Sequence, residues 1–319
     1  MGRLSLPRAV LAPLVLVVLV ATACGGAGAT PVEKASPSAP GSAFPVTISA
    51  ANGAVKIPAA PRRIVSLSPT ATEMLFAIDA GPQVVAVDSY SNYPADAPTT
   101  KLSAYEPNVE AIARYRPDLV VVSNDIDQVV EALGKLDVPV LVEPAAGNLD
   151  DTYAQIEQLG SATGHVAQAA DLVSSMRSRI EAIVASAPSF DPPLTYYHEL
   201  DQTYYTATSD TFIGQLYGLL GLRNIADRAK GSASGYPQLS AEYIIRADPD
   251  VIFLADTKCC GQSPTTVSRR PGWEQISAVR DGAVFGLDDD VVSRWGPRVV
   301  DFLQTLVKDL GNVRARVNA

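Results

Sequence analysis

Short runs of apolar, β-branched residues alternate along the chain with stretches whose apolar residues recur at helical spacing. In the first half, such runs predict strands over residues 64–68, 84–88, 119–123 and 138–142. The stretches between them predict helices that begin near Ser68, Asn108 and Asp125, where side chains suited to a helix N-cap stand. Alternation of this kind predicts a mostly parallel α/β sheet.

A long stretch without proline, residues 148–187, separates this first half from the second. Gly160 and Gly164 are expected to break it once, which leaves a helix over residues 165–187 of about 35 Å. Beyond it the alternation resumes, with strands over 194–200, 251–255 and 283–287, helices over 212–220 and Ala241–Ala247, and a final helix from Pro297. The predicted fold class is therefore α/β: lobes over residues 55–147 and 188–319, joined by one long rigid helix.

The second half also echoes the first. Residues 109–123 align with residues 241–255 as a helix, a proline stop, an aspartate and an apolar strand. Glu110 falls on Glu242 and Pro117 on Pro249, and five of the fifteen positions are identical. We therefore expect two similar lobes, with a ligand cleft where the carboxyl ends of their strands face each other.

The N-terminus has the pattern of a secretory signal. Arg3 and Arg8 precede an apolar run over residues 10–20, and small residues lead up to Cys24. The end of this segment resembles a bacterial lipobox, which implies cleavage after residue 23 and acylation of Cys24. The alternative is an ordinary signal peptide with a chance cysteine. Residues 25–45 are rich in Gly, Ala, Ser, Pro and Thr, so residues 24–54 are expected to form the lipid anchor and a flexible tether.

Charge narrows the range of partners. The formal net charge is −9, and removal of a leader with two arginines makes the remaining body more acidic. Nucleic acid and anionic lipid are therefore poor partners. No later segment reads as a membrane span, so contact with the membrane is expected through the lipid anchor only, and the body is expected to be a monomer on the extracytoplasmic face.

The loops at the expected cleft are rich in aromatic residues and arginine. The candidate ligand contacts in these loops are Tyr90, Tyr93, Tyr105, Tyr236, Arg294, Trp295, Arg298, Cys259 and Cys260. Aromatic walls suit a flat, extended ligand, and arginine suits carboxylate or phosphate groups on it. The alternative is that surface tyrosines simply cap loops.

Catalysis and a resident metal have little support in the sequence. It holds no GxSxG, GxxxxGK[ST] or HExxH motif, and His198 and Glu199, adjacent on a strand, point to opposite faces. The only other histidine, His165, is distant in sequence, so we expect no catalytic residue, no resident cofactor and no bare metal site; a metal would arrive inside an organic chelate. Cys259 and Cys260 are free thiols, pair with each other, or pair with another chain; we favour the bond between them.

Several segments together resemble a known family. They are RRIVSLSPTATEMLFAIDAG, VVAVDSYSNYP, NVEAIARYRPDLVVVS, LSAEYIIRADPDVIFLA, RPGWEQISAVRDGAVF and GPRVVDFLQTL, within residues 55–311. These segments resemble the iron-chelate and cobalamin-binding proteins of ABC importers, closest to the cobalamin branch. The resemblance implies a lipoprotein that captures a ferric siderophore, haem or cobalamin and delivers it to a permease. Alternatives are a sensing or scaffolding lipoprotein, and an enzyme using the same cleft.

The resemblance also implies roles for individual residues. Glu110 and Glu242 would dock onto arginines of the ABC permease, one glutamate on each lobe. Tyr90, Tyr105 and Tyr236 would contact the ligand, although the last two replace tryptophans of the cobalamin branch. A further tryptophan of that branch falls on Ser123.

Overall fold

The computed structural model describes residues 44–317, so the predicted leader, Cys24 and most of the predicted tether lie outside the described residues. Ten strands form one hairpin and two larger sheets: β1 Val46–Ala50, β2 Gly53–Ile57, β3 Ile64–Leu67, β4 Val84–Val87, β5 Leu119–Val122, β6 Val140–Val142, β7 Thr195–Glu199, β8 Arg223–Asn224, β9 Val251–Leu254 and β10 Val284–Gly286. The larger sheets have the orders β4-β3-β5-β6 and β10-β9-β7-β8, and every pairing within them is parallel. The predicted α/β class with parallel sheets in two lobes is confirmed.

Within the described residues, twelve α-helices flank or connect these sheets. They are α1 Pro69–Ala77, α2 Val109–Ala113, α3 Val129–Gly134, α4 Leu149–Thr163, α5 Val166–Ser186, α6 Phe212–Leu219, α7 Ala241–Ala247, α8 Thr257–Cys260, α9 Pro264–Ser268, α10 Ser277–Arg280, α11 Asp289–Val292 and α12 Val299–Val317. In the part of the chain that the structure describes, no helix is long and apolar enough to cross a membrane.

The first sheet is buried on both faces, which explains its continuous apolar strands. Along β5, Leu119 and Val121 pack into the core that contains α1 and α4. Val120 and Val122 point the other way, into a second core beneath α2 and α3. Successive strand residues alternate between faces, so a strand covered on both sides is apolar at nearly every position; Ser66 of β3 is a buried exception.

The connection between the lobes is a pair of helices. The helix α4 ends at Gly164, whose φ of 84° is the left-handed conformation that glycine adopts without strain. The helix α5 follows for 21 residues and packs against both α4 and α12. The predicted break in residues 148–187 therefore falls at Gly164, and Gly160 lies inside α4, where its Cα closely faces Ala169 of α5.

The predicted tether extends too far. Residues 46–57 form the antiparallel hairpin β1–β2, so the boundary at residue 54 is wrong for this segment. The hairpin lies against the edge strand β6: Asn52 Nδ2 donates to the Val140 carbonyl at 2.9 Å, and the Val142 amide donates to Asn52 Oδ1 at 3.2 Å. It protects an edge that would otherwise expose unpaired backbone groups.

The segment after β9 is predicted to be a loop, but it contains α8 and the start of α9. The carboxylate of Asp289 accepts hydrogen bonds from the backbone amides of Thr257, Lys258 and Cys259 at 2.9–3.1 Å. These are the amides that a helix leaves unpaired at its first turn. The capping residue, Asp289, lies about 30 residues further along the chain, so the sequence around α8 does not indicate this helix.

Candidate functional site

A cavity of about 390 Å³ lies between the lobes, at the carboxyl ends of the first sheet. Its walls from the first lobe include Ser68, Asp88, Tyr90, Tyr105 and Ser123. Its walls from the second half of the chain are Asp290, Ser293, Arg294 and Trp295. The predicted cleft therefore contains a space of the size and position at which open α/β sheets bind small ligands.

Other depressions of similar volume have poorer positions. One of about 360 Å³ is lined by residues of α4, α5 and α6, outside the cleft. Another of about 450 Å³ lies beside Leu194, Asp250 and Ala283, at the amino ends of β7, β9 and β10. Neither joins the two lobes at the carboxyl ends of their strands, so the cleft cavity is the candidate site.

The four predicted tyrosines lie in three different places. Tyr90 and Tyr105 both line the cavity and meet edge to face, with ring centroids 5.7 Å apart. Their side chains are 59% and 69% exposed, so a ligand could bury much of both rings. Tyr93 lies outside the cavity lining, under the guanidinium of Arg298 at 4.2 Å. Tyr236 is half exposed in the loop before α7 and also lies outside the lining of this cavity.

The two predicted arginines point to a carboxylate of the protein. Arg294 Nη1 donates to Glu73 Oε1 at 2.8 Å, and Arg298 donates to both oxygens of Glu73 at 2.5 and 2.8 Å. Glu73 lies on α1 and is almost fully buried. Arginine was expected to meet anionic groups of a ligand; in the structure these donors are engaged by Glu73. An acidic residue on the buried side of α1, beside Met74 and Leu75, was the signal that sequence reasoning missed.

Arg294 also holds the loop that carries Tyr90. Its Nη2 donates to the Tyr90 carbonyl at 3.0 Å, to Asn92 Oδ1 at 2.9 Å and to Asp290 Oδ1 at 3.0 Å. The neighbouring Trp295 lines the cavity, and its indole Nε1 donates to Gln155 Oε1 of α4 at 2.8 Å. The aromatic wall is thus fixed by polar contacts from both halves of the chain.

Asp88, at the carboxyl end of β4, is a cavity residue that sequence reasoning did not select. It is 2% exposed, and both of its carboxylate oxygens are buried. Burial raises the pKa of Asp88, whereas hydrogen bonds from the Ser91 hydroxyl and from the backbone amides of Ser91 and Tyr90, together with the charge of Arg294, act to lower it. The strand pattern alone could have indicated it, because it is a charged residue directly after an apolar strand.

Titratable groups of the second lobe are buried near the carboxyl ends of β7 and β9. Glu199 accepts two hydrogen bonds of 2.6 Å from Arg270. Burial, together with the charge of Glu199, raises the pKa of Asp256 to about 7. His198 is fully buried, its Nδ1 lies 2.9 Å from the Tyr217 hydroxyl, and burial lowers its pKa to about 3. This histidine is uncharged at neutral pH and packs inside the lobe.

Cys259 and Cys260 are exposed on α8, and their sulfurs are bonded to each other. The adjoining Lys258 Nζ pairs with Asp288 and Asp290 at 2.7 and 3.0 Å, which ties α8 to the segment that leads to Arg294. The cysteines themselves lie outside the lining of the cleft cavity. Among residues 44–317, no group of three or more His, Cys, Asp and Glu side chains is arranged to hold a metal ion.

Glu110 and Glu242 occupy matching places in the two lobes. Each is the second residue of its helix, after the N-caps Asn108 and Ser240, and each is exposed. The backbone amide of Glu242 and the Ser240 hydroxyl lower the pKa of Glu242. Because α2 and α7 each precede a parallel strand, both helices begin at the edge of the sheet that faces the cleft.

Comparison with known proteins gives consistent matches. A family model described as periplasmic binding protein matches residues 64–291. The chain is 30% identical to YvrC of Bacillus subtilis, an uncharacterized ABC transporter substrate-binding lipoprotein, over 94% of this chain and 95% of the relative. It is 32% identical to a cobalamin-binding protein of Halobacterium salinarum, over 91% and 81% of the two chains. A crystal structure from Staphylococcus epidermidis, described as a possible iron-binding (periplasmic solute-binding) protein, superposes with a TM-score of 0.69 at 28% identity, over 79% and 99%.

Proposed function

The chain belongs to the periplasmic binding protein family, and from this premise we propose that it is the extracytoplasmic substrate-binding subunit of an ABC importer. Its ligand is a small metal chelate: a ferric siderophore, haem or a corrinoid. The metal enters inside the chelate, as cargo. The observation that carries the proposal is the cavity between the lobes, walled by Tyr90, Tyr105 and Trp295. The names of the relatives from Bacillus subtilis and Halobacterium salinarum support it.

The cavity suits such a ligand for physical reasons. Aromatic faces stack on a flat macrocycle or on the apolar parts of a siderophore, and each aromatic pair contributes about 0.5–1.5 kcal/mol beyond area burial. The ligand does not need a protein metal site, because the organic part already supplies the ligands of the metal.

Native mass spectrometry of the purified protein with haem, cobinamide and ferric siderophores tests this proposal. We expect a 1:1 complex with at least one of these classes, and a visible absorption band that stays with the protein through gel filtration. Failure to bind any of them would contradict chelate capture and would favour a sensing or scaffolding role at the cell surface.

Delivery of the chelate requires the protein to dock onto the permease, and we propose that Glu110 and Glu242 make this contact. Both carboxylates are exposed, one on each lobe, at the cleft side of the molecule. Two charges in equivalent positions suit a permease whose two halves each present a basic group, because charge complementarity speeds encounter and fixes orientation. The body is proposed to act as a monomer, one per permease.

We further propose that acylated Cys24 anchors the protein to the membrane. The small residues before Cys24 support this, and one relative is named a lipoprotein. The substitution Cys24→Ala should move the protein from the detergent-soluble membrane fraction to the medium, or leave it as an uncleaved precursor. A Cys24→Ala protein that still partitions entirely with the membrane lipids would contradict the anchor.

A further inference from the structure

The bonded cysteine pair has no part in the proposed capture of a chelate. Cys259 and Cys260 are the last two residues of α8, and both are exposed. Because they are adjacent in sequence, their Cα atoms are 3.8 Å apart, whereas disulfides usually join Cα atoms about 4.4–6.8 Å apart. A disulfide outside this range is more easily reduced, and exposure opens it to a reductant. The pair therefore has the properties of a reactive disulfide rather than of a structural one.

The pair lies between two segments that are fixed by polar contacts. On its N-terminal side, Asp289 accepts hydrogen bonds from three backbone amides of α8, among them that of Cys259 at 2.9 Å. On its C-terminal side, the Gln262 amide donates to the Asp256 carbonyl at 3.2 Å, and Gln262 Oε1 accepts from Arg270 at 2.7 Å. The bond between the two sulfurs closes the turn that connects these fixed points. Reduction of the bond gives this turn more backbone and side-chain conformations.

The helix α8 is connected to the cleft through Lys258, the neighbour of Cys259. Lys258 Nζ donates to Asp290 Oδ2 at 3.0 Å, and Asp290 lines the cavity. The same oxygen accepts from Asn92 Nδ2 at 3.1 Å, on the first-lobe loop that carries Tyr90. Two hydrogen bonds therefore separate the helix with the cysteine pair from the loop on the opposite side of the cleft. A loss of order in α8 reaches a wall of the cavity through these direct contacts.

We propose that Cys259 and Cys260 form a thiol–disulfide exchange site, and that the oxidised pair favours ligand binding in the cleft. The effect on binding rests on the proposed function. The oxidised form binds more tightly because the closed turn keeps Lys258 and Asp290 in place before the ligand arrives, so that less conformational freedom is lost on binding.

The reductant of this exchange is a low-molecular-weight thiol. Its thiolate attacks one sulfur of the pair and forms a mixed disulfide, which releases the other cysteine as a thiolate. A second molecule of the thiol attacks the mixed disulfide and leaves with the first as their own disulfide. The pair gains two electrons, and the two protons of the reductant pass to the cysteines.

Alkylation tests the exchange site without any chelate. The full chain is incubated with free L-cysteine in the absence of denaturant, treated with iodoacetamide and mapped by mass spectrometry. We expect alkylation of both Cys259 and Cys260 after this incubation and of neither residue without it. The proposal would be overturned if the folded protein resisted conditions that allow alkylation of the urea-unfolded chain, or if both residues were alkylated before any thiol was added.

Titration with a chelate tests the coupling to the cleft. The probes are dicyanocobinamide, haem and ferric desferrioxamine B, added to the oxidised protein and, after anaerobic removal of the thiol, to the reduced protein. Because the Lys258 side chain is half exposed, we expect a coupling near the lower end of the usual range, with about fivefold weaker binding by the reduced protein. Equal or tighter binding by the reduced protein would overturn the proposal and leave chelate capture intact.

Binding of no probe in either state would contradict the proposed function, and hydrogen exchange then decides the coupling. Residues 287–295 should exchange faster in the reduced protein, because the contact that holds them to α8 is weakened. Equal exchange in the two states would overturn the coupling without reference to any ligand.

Two variants assign the effect to the pair and to its connection. Cys259→Ser with Cys260→Ser cannot form the bond, so its affinity should match that of the reduced parent and should not respond to thiol. Lys258→Met keeps the pair but removes the contact with Asp290, so its two redox states should bind equally. The matched control, Lys135→Met, changes an exposed lysine in the first lobe and should keep the difference of the parent. A double serine variant that binds like the oxidised parent, or a Lys258→Met protein that keeps the difference, would reject the proposal.

Discussion

Arg294 and Glu73, from opposite halves of the chain, form a buried ion pair with 2.8 Å between Nη1 and Oε1. Their side chains are only 7% and 1% exposed, and Arg298 contacts the same carboxylate. Because α1 belongs to the first lobe and Arg294 follows the second sheet, this contact holds together the two sides of the cleft. It also turns donors of both arginines towards a carboxylate of the protein.

Removal of the Glu73 charge should be strongly destabilising. Glu73→Gln leaves two buried guanidinium groups without their carboxylate, and breaking a buried pair in this way costs about 3–5 kcal/mol. Denaturant unfolding measures the loss. The matched control is Glu157→Gln on the exposed side of α4, which should stay within about 0.5 kcal/mol of the parent. Similar stabilities for the two variants would show that the buried pair contributes little.

The contribution of Tyr90 and Tyr105 to ligand binding can be measured separately from that of Tyr236. Tyr90→Ala combined with Tyr105→Ala should weaken binding of the preferred chelate by well over tenfold, since a decade corresponds to about 1.4 kcal/mol. Tyr236→Ala should have a smaller effect, because Tyr236 does not line the same cavity. Leu136→Ala changes an exposed residue in the first lobe and is the control for loss of active protein during preparation. If Tyr236→Ala weakened binding more than the double variant of Tyr90 and Tyr105, the ligand site would lie closer to the second lobe.

Docking through the paired glutamates predicts loss of uptake without loss of binding. The double change Glu110→Arg and Glu242→Arg should abolish uptake of the chelate, while the dissociation constant and the melting temperature remain close to those of the parent. The control, Glu131→Arg with Glu274→Arg, makes the same charge change at one exposed residue in each half of the chain and should transport normally. Normal uptake by the first variant, at native expression, would rule out the docking role. A large fall in its melting temperature would mean that the glutamates chiefly stabilise α2 and α7.

Glu143 should make stability depend on pH. Burial raises its pKa to about 8 from the usual 4.5, so the folded protein keeps a proton that the unfolded chain releases above pH 4.5. The contribution of this carboxyl is therefore fully present below about pH 4.5 and is lost as pH rises towards 8, by up to about 1.4 kcal/mol per pH unit.

The variant Glu143→Gln removes this dependence. Its stability relative to the parent should increase from pH 5 to pH 8, as measured by urea unfolding at each pH. Glu157→Gln, on an exposed face, should show a constant difference over the same range. A constant difference for Glu143→Gln as well would mean that the carboxyl is already ionised in the folded protein at pH 5.

The strands were predictable because they are buried on both faces. Seven of the predicted strands coincide with β3, β4, β5, β6, β7, β9 and β10 to within two residues at either end. The hairpin β1–β2 was missed because only two of its ten strand positions are buried, so its sequence lacks the continuous apolar run of the other strands. It is ordered by contacts with β6 and by Gln158 of α4, whose Nε2 donates to the Ser49 carbonyl at 3.0 Å.

The sequence by itself determined the α/β class, the duplicated lobes, the helical connection and the aromatic loops at the cleft. Each of these follows from local periodicity, from turn residues, or from the alignment of one half with the other. The tertiary structure alone decided which charges are available to a ligand. Arg294 meets Glu73 across 221 residues of chain. Pairing between side chains depends on their distance in space and on their burial, and neither quantity is encoded in the order of residues near them.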